Sequence, residues 1–149
     1  MFRSTLPVVQ RVEVGATAFS LIEDTVSSDS ESPEPELIRR WERPGGAQVA
    51  TRVSRSTEPL QEVVHGRLVG AVMENLMTSG AEKDEIRSAV GRVRNAPTTP
   101  GSAVLRVNGE PAAGFAVSGE GFRAVGVLVN DAILTVVSDT EGMLAINVG

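Results

Sequence analysis

The sequence predicts an α+β fold: a mostly antiparallel sheet, formed by two N-terminal hairpins and a C-terminal meander of about five strands, with two central consecutive helices. Three observations lead to this prediction. Alternating apolar and polar residues occupy both ends of the chain, helical spacing occupies the middle, and Gly, Pro and Asn mark the boundaries. The chain has 149 residues, enough to bury a core, so we expect a single domain over 1–149.

Two hairpins are expected near the N-terminus. Val8–Val14 alternates apolar and polar positions, and Thr17–Glu23 is again rich in strand-forming residues after a turn at Gly15–Ala16. The second hairpin consists of Leu37–Arg43, the turn Pro44–Gly45–Gly46 and Gln48–Arg55.

The segment between these hairpins, Ser27–Glu36, has a different composition. It contains serines, prolines and acids but no apolar residue, so it cannot bury enough surface to offset the entropy lost on ordering. We expect a flexible acidic Ser/Pro loop over 27–36.

Two helices should follow the second hairpin. Thr57 is the expected cap of the first helix, with Pro59 in its first turn, and this helix should run to about Ser79. Ser79 and Glu82 form an S-x-x-E capping box that predicts the start of the second helix. Acids in the first turn of the second helix and arginines near its end match the helix dipole, and two prolines end it.

The C-terminal third predicts short strands separated by turn residues, among them Asn108–Gly109, which favours a type I′ hairpin turn. The predicted strands are Val104–Val107, Ala113–Val117, Phe122–Val129, Ala132–Val137 and Met143–Val148.

Composition excludes several classes of function. The chain has no Cys and a single imidazole, His65, so we expect no metal, no cofactor and no catalytic site built on these residues. Its formal charge of −5 disfavours nucleic acid as a partner. No apolar run predicts a signal peptide or a membrane span, so we expect a cytoplasmic protein.

The first helix is the main candidate for an interaction surface, because its apolar residues form two stripes instead of one. One stripe contains Leu60, Val63, Val64 and Ala71, and the other lies on nearly the opposite side. Either this is a central helix covered on both sides, or the second stripe packs on a second copy or on another protein. The residues of this second stripe are Val69, Val72, Met73, Leu76 and Met77.

Two further features of the first helix have competing explanations. Gly66 and Gly70 lie four residues apart, and each costs about 1 kcal/mol of helix propensity, so another backbone could approach there. In a soluble acidic chain we favour a kink or chance as the explanation of the pair. His65 lies on the side of Val69 and is either structural or functional.

A second candidate is the strand face that carries Arg39, Trp41 and Arg43. Trp and Arg are enriched at interaction hot spots, and here they alternate on one face. The alternative is a single core tryptophan with solvated neighbours.

Three functions remain open. The first is a non-enzymatic interaction or accessory protein, of a chaperone-like or immunity type, whose partner is another protein or a second copy of itself. The second is a small-ligand-binding or catalytic domain with a pocket between sheet and helices. The third is a winged-helix-like DNA binder, with the second helix as the reading helix and Asn108–Gly109 at a wing tip.

Overall fold

The computed structural model describes residues 6–27, 36–55, 58–96, 101–119, 122–140 and 142–149, and it confirms the α+β class. Within these residues two helices accompany one ten-stranded, mostly antiparallel sheet. The helices are α1 (Leu60–Thr78) and α2 (Lys83–Arg94). The strands are β1 (Val9–Val14), β2 (Thr17–Ala18), β3 (Ser20–Ser27), β4 (Glu36–Glu42), β5 (Gln48–Arg55), β6 (Gly101–Val107), β7 (Glu110–Gly119), β8 (Phe122–Val129), β9 (Ala132–Ser138) and β10 (Leu144–Val148).

The sheet is curled, and its two edge strands are consecutive in the chain. The strand order is β2-β1-β10-β6-β7-β8-β9-β5-β4-β3, which places β2 and β3 at opposite ends. Only Phe19 separates these two strands in the sequence. The Phe19 amide donates to the Val12 carbonyl oxygen at 2.9 Å, after which the chain pairs with β4. The sheet is therefore nearly a closed barrel.

The strand pairing differs from the predicted layout at the first hairpin and at the last strand. β1 pairs with β2 over only two residue pairs, while β3 pairs with β4. β10 does not pair with β9, the strand before it in the chain. It lies between β1 and β6 and is parallel to β6. Apolar alternation identifies a strand and its buried face, but it does not identify the neighbour that a closing sheet selects.

The curled sheet has one apolar core inside it and another on its outer face. β9 contributes to both: Leu134 and Val136 point into the barrel, whereas Ile133 and Val137 point towards the helices. Every residue of β9 is consequently buried. The helices thus cover one stretch of the outer face, and α1 lies over β8, β9 and β5.

A glycine on β8 sets how closely α1 approaches the sheet. A Cβ at Gly126 would lie 3.0 Å from Val64 Cγ2 and 3.6 Å from Leu68 Cδ2, tighter than ordinary packing at the first contact. Val64 and Leu68 are fully buried there. The absence of a side chain at Gly126 therefore sets the distance between α1 and β8. This distance in turn sets the position of the side of α1 that faces away from the sheet.

The start of the second helix differs from the one predicted. Ser79 ends α1 and does not cap α2: its hydroxyl donates to the Leu76 carbonyl oxygen at 3.1 Å. Glu82 precedes α2 but makes no side-chain capping bond. Gly80, at φ 82°, allows the sharp reversal, and the Ala81 amide donates to the Leu76 carbonyl oxygen at 2.9 Å. The predicted capping box is therefore wrong, because the S-x-x-E sequence falls on a glycine-based helix end.

The predicted cap of the first helix and most of the predicted acidic loop lie outside the described residues. Thr57 and residues 28–35 are not among the described residues. The ends of the predicted acidic loop belong to strands, since Ser27 ends β3 and Glu36 begins β4.

Candidate interaction surface

Trp41, the centre of the predicted strand face, lies inside the barrel. It is only 3% exposed, and its indole Nε1 donates to Thr51 Oγ1 at 3.1 Å. It packs within the interior core. Its position is that of a core tryptophan with a satisfied polar atom.

The two arginines beside Trp41 make contacts where the barrel closes. Arg39 donates from Nη1 to the Val9 carbonyl oxygen at 2.8 Å and from Nη2 to Asp24 Oδ2 at 3.0 Å. The Arg43 guanidinium lies 5.8 Å from the centroid of the Phe19 ring. These arginines therefore bind β1, β3 and the residue between β2 and β3, and are occupied within the molecule.

The second apolar stripe of α1 divides into a covered part and an open part. Val72 is fully buried, and Val69 and Leu76 are half-buried against the outer core. Met73 is half-buried, whereas Met77 is 62% exposed. The covered residues fit the explanation of a central helix, and the exposed part leaves the packing on a partner as a hypothesis.

The open part of the stripe forms one wall of a groove between α1 and α2. We call it the methionine groove; its volume is about 540 Å³. Both helices contribute apolar residues to its lining, and α2 also contributes basic residues. Its lining residues are Met73, Met77, Lys83, Ile86, Arg87, Val90, Gly91 and Arg94.

The basic residues of the groove share one side of α2. Lys83, Arg87 and Arg94 fall within about 40° of one another at 100° per residue. Glu85 and Arg92 lie on the far side of α2, and Asp84 lies between the two sides, with its Oδ1 3.8 Å from Arg87 Nη1. All three line a different depression. Three of the four basic residues of α2 therefore lie on the side that faces Met73 and Met77.

A cluster of ion pairs borders Met73 and Met77 on their other side. Arg52 on β5 pairs with Glu36 Oε1 at 2.8 Å and with Glu74 on α1, and Arg67 Nη1 lies 3.8 Å from Glu36 Oε2. A shallow depression lined by Arg52, Glu74 and both methionines lies there. The ion pairs connect α1 to β4 and β5.

The glycine pair of α1 does not receive another backbone. A Cβ at Gly66 would meet nothing within 4 Å, and one at Gly70 would meet only Arg52 Nη1, at 3.7 Å. No other backbone approaches these two described positions, and the close packing of α1 on the sheet occurs at Gly126.

A second depression lies between the helices and the β7–β8 end of the sheet, with a volume of about 630 Å³. Its polar groups include Asp84, Glu85 and Arg92. The Arg92 guanidinium donates from Nε to the Ser118 carbonyl oxygen, so part of its hydrogen-bonding capacity is already used.

Two further polar side chains, those of Asp139 and His65, do not indicate a binding site. Asp139 Oδ1 accepts from the Gln48 amide at 3.0 Å, a turn contact. His65 Nε2 is buried and has no hydrogen-bond partner among the described residues. Over the same described ranges, no group of three His, Cys, Asp or Glu side chains could hold a metal ion.

Sequence reasoning missed the α2 wall of the groove. The sequence analysis relates the arginines near the end of the second helix to the helix dipole and predicts no groove beside that helix. The signal was present in the spacing of Lys83, Arg87 and Arg94, which places them on one side of α2.

Comparisons with protein-family models, with curated proteins and with solved structures found no match. Neither α1 nor α2 has the length and apolar character that crossing a membrane requires.

Proposed function

We propose that this chain is a non-enzymatic, cytoplasmic interaction protein that holds a segment of a partner protein in the methionine groove. The single observation that supports this is the exposure of Met77, which is 62% accessible at the edge of an apolar groove between two helices. Removing a large apolar side chain from water lowers the free energy of the complex, so an exposed methionine favours a partner that covers it.

Methionine suits this task because its side chain is flexible and its sulfur polarisable. Met73 and Met77 are one helical turn apart, so they present a continuous apolar ridge. Ile86 and Val90 form the facing wall. Such a surface can adapt its shape to an incoming side chain without moving either helix.

The exposed apolar residues of β3 support docking less well. Leu21, Ile22 and Val26 lie on β3, an edge strand, and Glu23 and Asp24 stand between them. Charged residues on an edge strand are a common protection against pairing with other chains.

The small-ligand alternative has weaker geometric support. The depression that contains Arg92 would be its site, but the arginine already binds the Ser118 carbonyl oxygen, and Asp84 and Glu85 lie in the first turn of α2. Acids at that position are favoured by the helix dipole without any ligand.

Native mass spectrometry of the tagged full chain, recovered gently from its own host, tests the proposal. The Met77→Glu variant places a charge in the groove, and Met143→Glu is the matched control, because Met143 is 52% exposed elsewhere on the surface. We expect one protein to be recovered stoichiometrically with the wild type and with Met143→Glu but not with Met77→Glu. Equal recovery with both variants, or a bound small molecule and no protein, would contradict the proposal.

A further inference from the structure

The methionine groove concentrates positive charge in an acidic protein. The chain carries a formal charge of −5, yet Lys83, Arg87 and Arg94 all line this one groove. The nearest pairing is weak: Arg87 Nη1 lies 3.8 Å from Asp84 Oδ1, and both side chains are more than 80% exposed. No described carboxylate lies within 4.0 Å of Lys83 or Arg94.

The walls of the groove restrict the backbone of its occupant. Both walls are helices, whose backbone groups bond within each helix, so they offer no sheet edge to which an extended strand could add. An occupant that buries its backbone here must satisfy its own amides and carbonyls. A helix does so, and three turns of helix match α2, whose 12 residues extend over about 18 Å.

We infer that the methionine groove binds an acidic amphipathic helix of a partner protein. Its apolar side would contact Met73, Met77 and Val90, and its carboxylates would lie beside Lys83, Arg87 and Arg94. This inference rests on the proposed function and adds the chemistry of the partner. Charge complementarity at the rim of an interface mainly sets specificity and association rate, while apolar contacts supply most of the affinity.

Three synthetic peptides of about 15 residues, the length at which isolated helices begin to form, provide the test. They share apolar residues at helical spacing and differ only in having Glu, Gln or Lys at the polar positions. Binding to the full-length protein is measured by fluorescence anisotropy at low salt and at 1 M salt, where the Debye length falls to about 3 Å.

We expect the Glu peptide to bind about tenfold more tightly than the Gln peptide at low salt, and this ratio to shrink towards one at 1 M salt. Met77→Glu should weaken the Glu peptide by about tenfold or more, because it places a like charge in the apolar contact.

The charge-reversal variant Arg87→Glu/Arg94→Glu isolates the electrostatic contribution. Its matched control is Arg11→Glu/Arg106→Glu, which reverses two exposed arginines on the barrel and changes the net charge equally. We expect the first variant to invert the preference, so that the Lys peptide binds best, and the control to retain the wild-type order. Circular dichroism of each variant verifies that α1 and α2 remain folded.

The outcomes separate the inference from the proposed function. Equal binding of all three peptides, lost in Met77→Glu, would overturn the acidic partner but keep the groove as a docking site. Absence of peptide binding together with Met77-dependent capture of a folded protein would overturn the helical occupant only. Preferential binding to vesicles rich in phosphatidylserine, or Met77-dependent dimerisation of this chain, would also overturn the inference.

Discussion

Trp41 is a residue for which the sequence left two positions open, an exposed strand face or the core, and the structure places it in the core. Its sequence context, with Arg39 and Arg43 on the same face, favours an exposed hot spot about as strongly as a core position. The structure buries the indole and bonds it to Thr51, because the barrel closes over this face. Local sequence cannot reveal that closure, since Val9 and Phe19 supply it from a distant part of the chain.

Thr51→Val should destabilise the protein by about 1–3 kcal/mol, because the buried Nε1 donor of Trp41 then has no acceptor. Urea unfolding can be followed by the fluorescence of Trp41, the only tryptophan. Thr25→Val on exposed β3 is the control and should change stability by less than about 0.5 kcal/mol. Equal effects of the two substitutions would show that the indole bond contributes nothing.

Two glycine substitutions should have opposite signs. Gly66→Ala fills open space in the middle of α1 and should stabilise the protein by about 0.5–1 kcal/mol, through helix propensity and a less flexible unfolded chain. Gly126→Ala should destabilise it by about 1–3 kcal/mol, because the new methyl group presses on Val64. Denaturation midpoints measure both, and a stabilising Gly126→Ala would contradict the close approach of α1 to β8.

At the scale of elements, α1 packs on the sheet with one side and faces α2 and solvent with the other. The sequence predicted its two apolar stripes, and the structure assigns one to the sheet and divides the other between α2 and solvent. The ion pairs of Arg52 with Glu36 and Glu74 could not be predicted. They depend on β5 lying beneath the helix with β4 beside it, and Glu36 was expected in a loop.

Arg52→Gln should destabilise the protein more than Glu74→Gln. Arg52 is 16% exposed and pairs with both carboxylates, so its loss leaves Glu36 with only the more distant Arg67; we expect a cost of about 1–2 kcal/mol. Glu74 is 47% exposed, and its loss should cost less than about 1 kcal/mol. Urea unfolding at low salt measures both, and an equal or reversed order would contradict the central position of Arg52 in the network.

At the scale of the whole molecule, the sequence predicted the α+β class and most strand positions, because these depend on local periodicity. It did not predict a nearly closed sheet, the parallel pairing of β10 with β6, or the bent connection at Phe19. These features depend on pairing between distant segments. The candidate site was predicted in part for the same reason: Met73 and Met77 are visible on one helix, whereas the groove requires two.

The most direct test of the central claim is photo-cross-linking in the living host with a photoreactive amino acid at position 77. The same amino acid at position 143 is the control, since both methionines are similarly exposed but only Met77 lines the groove. We expect one discrete cross-linked protein from position 77 and none of that mass from position 143. The same product from both positions, or none from position 77, would contradict a partner held in the methionine groove.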